Sequence, residues 1–236
     1  SINPDLIIIS TPTYLHYKNL IFFNSILKNK IILIEKPLFH KKLKFKLKNN
    51  KNKIFVGYNL RYHPVIQFLK KNIKSIKPFY IRSECFSYLP NWRKNNYENN
   101  YSSKKKMGGG VANDLSHEVD YICWIFGNIE EVFKKKCKIS ELNISSDDTF
   151  ILIAKINQTL INISLNFSSF LNSRKIIIDE HNRTLECDLI KNNIKIYKKN
   201  SKKIIKKNFN DTNSLLNMHK KILQNNFKHL CSLSEA

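Results

Sequence analysis

Two short stretches of the 236-residue chain carry side chains whose types and spacing could do chemistry. In "IILIEKPLFH" (31–40) four apolar residues run directly into Glu35, Lys36 and Pro37. Charges after a strand are commonly just a solvated turn, with the proline ending the ladder. In an open α/β sheet, however, working residues sit beyond the carboxyl ends of parallel strands, so a Lys placed there is a candidate site residue. The second stretch is "GGGVANDLSHEVDYICWIFG" (108–127). At ~100° per residue, Leu115, Val119, Ile122 and Phe126 are expected to form one apolar stripe, with Asp114, His117 and Asp120 opposite. Carboxylates one turn either side of His117 can orient its imidazole and raise its pKa, as a general base requires. A structural role for His117 and an N-cap role for Asp114 are the alternatives. The three glycines lack G-x-G-x-x-G spacing and are not read as a phosphate loop.

The elements that must hold these groups alternate. "DLIIIS" (5–10) is a short strand, broken by Thr11-Pro12-Thr13 and followed by a helical stretch at 14–29. "KIILIE" (30–35) and "KIFVGYN" (53–59) are further strands, the latter feeding a helix at 63–73 with Pro64 in its first turn. This is βαβ material and implies a parallel sheet. It supplies about three strands against the ~5–6 of a mean sheet. After Pro78 the texture changes. "FYIRSECFSY" (79–88) alternates like a half-exposed strand, a loop carries Trp92 and Arg93, and six strand-like segments follow from residue 129. A closing helix is expected over 212–230. The fold class is therefore α/β: part of a doubly wound parallel sheet over 1–75, then an α+β unit with a large, mainly antiparallel open sheet over 76–236, with the boundary near 74–78.

The charge balance is extreme: 41 Lys+Arg against 18 Asp+Glu, a net +23. Clustered cations would suit nucleic acid. The composition argues against it, because 36 Lys accompany only 5 Arg, 33 Ile and 31 Asn, all but Arg residues with AT-rich codons. A phosphate-reading surface favours Arg. No nucleic-acid partner is expected, although the basic runs at 41–48 and 198–207 keep that reading as an alternative. Five widely spaced cysteines (85, 123, 137, 187 and 231) include no CxxC pair or Cys/His cluster, so no metal site and a reduced, cytoplasmic setting are expected. No apolar run approaches the ~18 residues of a membrane span.

"PDLIIISTPTYLHY", "LIEKPL", "VGYNLRYHP", "LPNWR" and "GGGVANDLSHEVDYICWIFG", in that order, resemble the glucose-fructose oxidoreductase, inositol dehydrogenase and MocA-like family of NAD(P)-dependent sugar dehydrogenases. The resemblance covers nearly the whole chain and is weakest in the antiparallel region. It implies a Rossmann domain for NAD or NADP, a C-terminal substrate domain whose sheet often mediates homo-oligomers, and a sugar or nucleotide-sugar substrate. It assigns Lys36 to the lysine of the E-K-P motif, near nicotinamide and reacting hydroxyl, and His117 to the catalytic histidine. Asp114 resembles the aspartate of that helix, although D-x-x-H here replaces the D-x-x-x-H of many members. Thr11, Pro12 and His16 match T-P-x-x-x-H on the cofactor side, with Glu35 the glutamate of E-K-P and Arg93 the W-R arginine. The implied chemistry is hydride transfer from a sugar C–H with His117 taking the hydroxyl proton.

The family's first βαβ unit, bearing G-x-G-x-x-G and the acidic ribose ligand, has no counterpart in these residues. The expectation is therefore a chain truncated at the N-terminus, and also at the C-terminus, where "HLCSLSEA" is expected to lie in or just before a helix, with impaired cofactor binding. A non-catalytic cofactor- or sugar-binding member of the same fold is the rival class, and retention of both Lys36 and His117 favours an enzyme.

Overall fold

The computed structural model describes residues 3–93, 96–201, 205–210 and 213–236. The basic run at 198–207 and the expected helix over 212–230 both extend partly outside the described residues. Two sheets organise the chain. In the first, β1 (Leu6–Ile9), β2 (Ile31–Ile34) and β3 (Lys53–Val56) are parallel in that order, with β1 at one edge among the described residues. The crossover from β1 to β2 is α1 (His16–Ile26), while residues 35–52 between β2 and β3 contain no helix or strand. Parallel pairing with both faces covered requires continuous apolar strands. One face of β2 accordingly packs Ile32 and Ile34 with Ile9, Leu20 and Val56, and the other packs Leu33 with Tyr62, Met218 and Ile222.

The second sheet has eight strands in the order β11-β10-β9-β8-β4-β7-β6-β5. They are β4 (Tyr80–Tyr88), β5 (Glu130–Cys137), β6 (Thr149–Ile156), β7 (Thr159–Asn166), β8 (Ser168–Glu180), β9 (Arg183–Asp188), β10 (Asn193–Lys198) and β11 (Ile205–Asn208). Every pairing is antiparallel except β4 with β7, as the mainly antiparallel expectation required. Period-2 alternation turns Ile81, Ile161, Ile163, Ile176, Ile178, Leu185 and Ile194 inward. Against that face lie α2 (Pro64–Lys71), through Val65 and Leu69, and α5 (His117–Phe126), through Ile122 and Ile125. Each such fully buried aliphatic side chain contributes about 1.5–3 kcal/mol.

Three expectations change. The closing helix, α6 (Ser214–Leu223), is shorter than 212–230 and packs on the first sheet. "HLCSLSEA" is not helical: Cys231 and Ser232 form β12, antiparallel to β3, so the chain returns to the first sheet rather than staying with the second. The stretch after the glycines is two helices, α4 (Val111–Asp114) and α5, broken at Leu115–Ser116. The break resets the helical phase. The buried face of α5 is Glu118, Tyr121, Ile122 and Ile125, while Val119 and Phe126 are only half-buried. No helix among the described residues is long and apolar enough to cross a membrane.

Candidate active site

β2 ends at Ile34, and Lys36 stands just past its carboxyl end. The Lys36 Nζ donates to the backbone carbonyl of Asp114, so the ammonium reaches from the first sheet to the end of α4. Its burial pushes its pKa down, with the nearby Arg174 cation adding to the effect and Asp114 opposing it. Asp114 is buried; its Oδ1 accepts a 2.6 Å hydrogen bond from the Tyr101 hydroxyl, and its Oδ2 has no protein partner. Asp114 therefore ends α4 and does not cap α5, whose N-cap is Ser116. Arg93, at the end of α3 (Leu89–Trp92), donates to the Tyr101 hydroxyl at 3.4 Å, with its guanidinium 4.6 Å from the Trp92 ring centre.

The glycines allow close approach. A Cβ on Gly108, at φ +82°, would meet His40 Cβ at 2.8 Å and Thr13 Cβ at 3.1 Å, and one on Gly110, at φ +121°, would meet Asp147 Oδ1 at 2.3 Å. Only glycine fits such φ values without strain. The segment carrying Asp114 is thereby pressed against the loops that follow β1 and β2.

His117, at the start of α5, is 93 % buried, edge-on to Tyr58 with ring centres 5.6 Å apart, and its Nδ1 has no protein partner. It does not merge with the apolar core. Together with Lys36, Asp114 and Arg174 it lines a cavity of about 570 Å³, walled also by Ser87, Tyr88, Trp92 and Phe170. The expected rise in its pKa is overturned: burial, with the Lys36 and Arg174 cations adding to it, holds the imidazole well below its ordinary value. The carboxylates that were to raise it are committed elsewhere. Asp114 serves Tyr101, and Asp120 accepts bonds from Arg61 Nε and Nη2, the shortest 2.7 Å, on another side of the helix. The result is a neutral imidazole beside the Lys36 and Arg174 side chains.

Sequence reasoning missed Arg174 and Glu118. Arg174, on β8, donates through Nε to Glu118 Oε1 at 2.7 Å and through Nη2 to Oε2 at 3.4 Å; Glu118 is fully buried and also accepts from the Tyr121 hydroxyl. A charged residue on the inward face of α5 was the trace in the sequence, hidden by the wrong helical phase.

The remaining candidates gather around the turns after β1 and β2. Both ring nitrogens of buried His16 face backbone carbonyls, Nδ1 those of Pro37 (3.0 Å) and Leu38, and Nε2 that of Thr11 (2.8 Å). It ties the Thr11-Pro12 turn to the loop after Lys36 and presents no free nitrogen. The Thr11 hydroxyl accepts from Asn19, and Pro12 opens the turn into α1. Glu35 continues the parallel ladder through its N–H to Ile9 O and lies against Gly57.

No protein-family model matches the chain, and no curated protein matches it in sequence. Solved structures share the fold at low identity. One is a Thermotoga maritima protein described as an oxidoreductase (14 % identity, 98 % of this chain and 73 % of that one, TM-score 0.76). A second is a levoglucosan dehydrogenase in complex with NADH and levoglucosan (16 %, 87 % and 61 %, 0.73). A third is the UDP-N-acetylglucosamine 3-dehydrogenase GnnA of Acidithiobacillus ferrooxidans (16 %, 98 % and 73 %, 0.71). The chain thus spans between three-fifths and three-quarters of the length of these neighbours, which are oxidoreductases built on the same pair of sheets.

Proposed function

We propose that the chain belongs to an NAD-dependent dehydrogenase that oxidises a hydroxyl of a sugar or nucleotide sugar, and that it carries part of the cofactor domain together with the substrate domain. The observation carrying this reading is the convergence of Lys36, Asp114 and His117 on one cavity. The levoglucosan and UDP-N-acetylglucosamine dehydrogenases supply the substrate class.

The residues fit the nicotinamide end of a dinucleotide. The turns after β1 and β2, where Thr11, Pro12, Glu35 and Lys36 sit, are the carboxyl-end crevice in which α/β sheets hold ligands, and Asp114 Oδ2, His117 Nδ1 and Arg93 Nε are buried polar atoms with no protein partner. None of the five glycines (57, 108, 109, 110 and 127) forms a G-x-G-x-x-G turn, so these residues supply no pyrophosphate cradle of that kind. A nicotinamide held there would supply the acceptor for the hydride leaving the sugar carbon. His117, held neutral, accepts the hydroxyl proton. Lys36 stands where negative charge develops on the oxygen, and its low-dielectric setting strengthens that interaction. Asp114 fixes Lys36 through its carbonyl, and Tyr101 with Arg93 fixes Asp114.

The two sheets correspond to cofactor and substrate domains joined near residues 75–78. The outward face of the large sheet, where Ile151 and Leu160 are exposed beside the Arg82–Asp179 and Lys175–Glu186 ion pairs, is the proposed homo-oligomer surface. Five free thiols support a cytoplasmic setting. In the holoenzyme, His117→Ala lowers kcat on the order of 10²–10⁴-fold with little change in cofactor affinity. Near-normal turnover in that variant would assign the base elsewhere.

A further inference from the structure

The cavity wall carries more positive character than hydroxyl recognition needs. Ser87, Asn91 and Asn172 already offer neutral hydrogen-bonding groups there, yet Arg174 and Lys36 both line it, against Asp114 as the one lining carboxylate. The counter-charge of Arg174 sits behind the wall: Glu118 is fully buried, does not line the cavity, and grips the guanidinium by its Nε edge. Of the five guanidinium donors, Glu118 engages two. The cavity-lining guanidinium is thus held rigidly from behind and keeps donors to offer. A planar fork of this kind suits a planar carboxylate better than a single hydroxyl, for which a neutral side chain suffices. Tyr88, Trp92 and Phe170 complete the wall with flat apolar surfaces.

We propose that the sugar taken by this cavity carries a carboxylate, as a uronic acid does, and that Arg174 is the residue that binds it, with Glu118 the positioning residue that orients the guanidinium. The inference rests on the sugar-dehydrogenase reading and narrows it. The depressed proton affinity of His117, to which Arg174 contributes, is consistent with a positive potential at this wall.

The test is calorimetric or NMR titration of the 236-residue chain with D-glucuronate, D-glucose and D-glucose 6-phosphate. Glucuronate is expected to bind at least about tenfold more tightly than glucose, the worth of one charge-assisted contact. Arg174→Met leaves Glu118 buried and unpaired and risks misfolding. The double variant E118Q/R174M removes both charges together and should fold while losing the preference for glucuronate. Arg174→Lys keeps a cation without the fork and should retain only part of the preference, whereas full preference in that variant would remove Arg174's geometry from the account. Equal binding of glucuronate and glucose, a preference for the phosphate, or a glucuronate preference that survives in E118Q/R174M overturns the proposal but leaves the sugar reading standing. Failure of all three to bind at roughly tens of millimolar, the weak limit of specific recognition, overturns both.

Discussion

Helix α5 carries two buried ion pairs on different sides, and the contrast between them separates scaffold from site. Arg61 is held by two carboxylates: Asp120 accepts from its Nε and Nη2, Glu235 accepts from Nη1 at 3.1 Å, and the guanidinium lies 5.3 Å from the Trp124 ring centre. Three of its five donors are engaged by carboxylates, its side chain is 3 % exposed against 23 % for Arg174, and it joins the residues after β3 to α5 and to the C-terminal turn. Arg174 is held by one carboxylate through one edge and opens on the cavity. The same chemistry, a guanidinium on a buried carboxylate, is tied by two carboxylates and nearly unexposed in one place, and tied by one and partly exposed in the other. Asp120, flagged from spacing as a carboxylate near His117, belongs to the first kind.

The comparison can be broken at each pair. Arg61→Met leaves Asp120 buried without its cation, and the expected cost is about 3–5 kcal/mol, read as a lowered urea midpoint at unchanged slope. Glu118→Gln should cost less, about 1–3 kcal/mol, because the orphaned guanidinium can turn to the cavity. If the two variants are equally destabilised, the doubly and singly tied guanidinium groups do not differ as argued. A smaller effect sharpens the cavity side. His117 is held neutral in the folded chain at pH values where the unfolded imidazole, with its ordinary value of 6.5, is protonated. The unfolded state then binds more protons, so stability falls as pH drops below 6.5 and the contribution is absent above it. His117→Gln should flatten that acid-side loss, measured by denaturation at a series of pH values, while an unchanged slope would place the titration in other histidines such as His63, also depressed chiefly by burial.

Much of this was legible in the residues. Period-2 alternation located β4 to β10, and the charged end of β2 located Lys36, because strand patterns and strand ends are local properties. The phase of α5 was not legible: the break at Leu115–Ser116 carries no proline or glycine to mark it, and the apolar pattern runs on through it. With the phase went the identity of the inward face, and so Glu118 and its partner Arg174. The sign of the His117 shift failed for the same reason. Spacing reports which carboxylates are near in sequence, whereas burial and the cations of β2 and β8 decide the proton affinity. The short strands β11 and β12 lie in polar or mixed stretches without periodicity and are fixed by pairing with β10 and β3.

The central claim is that His117 is a neutral base in a sugar-binding cavity between two cations. It is tested most directly by following the imidazole resonances of the chain through a pH titration, with and without D-glucuronate. The account predicts that the His117 ring stays neutral well below pH 6.5 and that its resonances move on adding the sugar while those of His63 stay put. A His117 ring that titrates near 6.5 and ignores the sugar would contradict it.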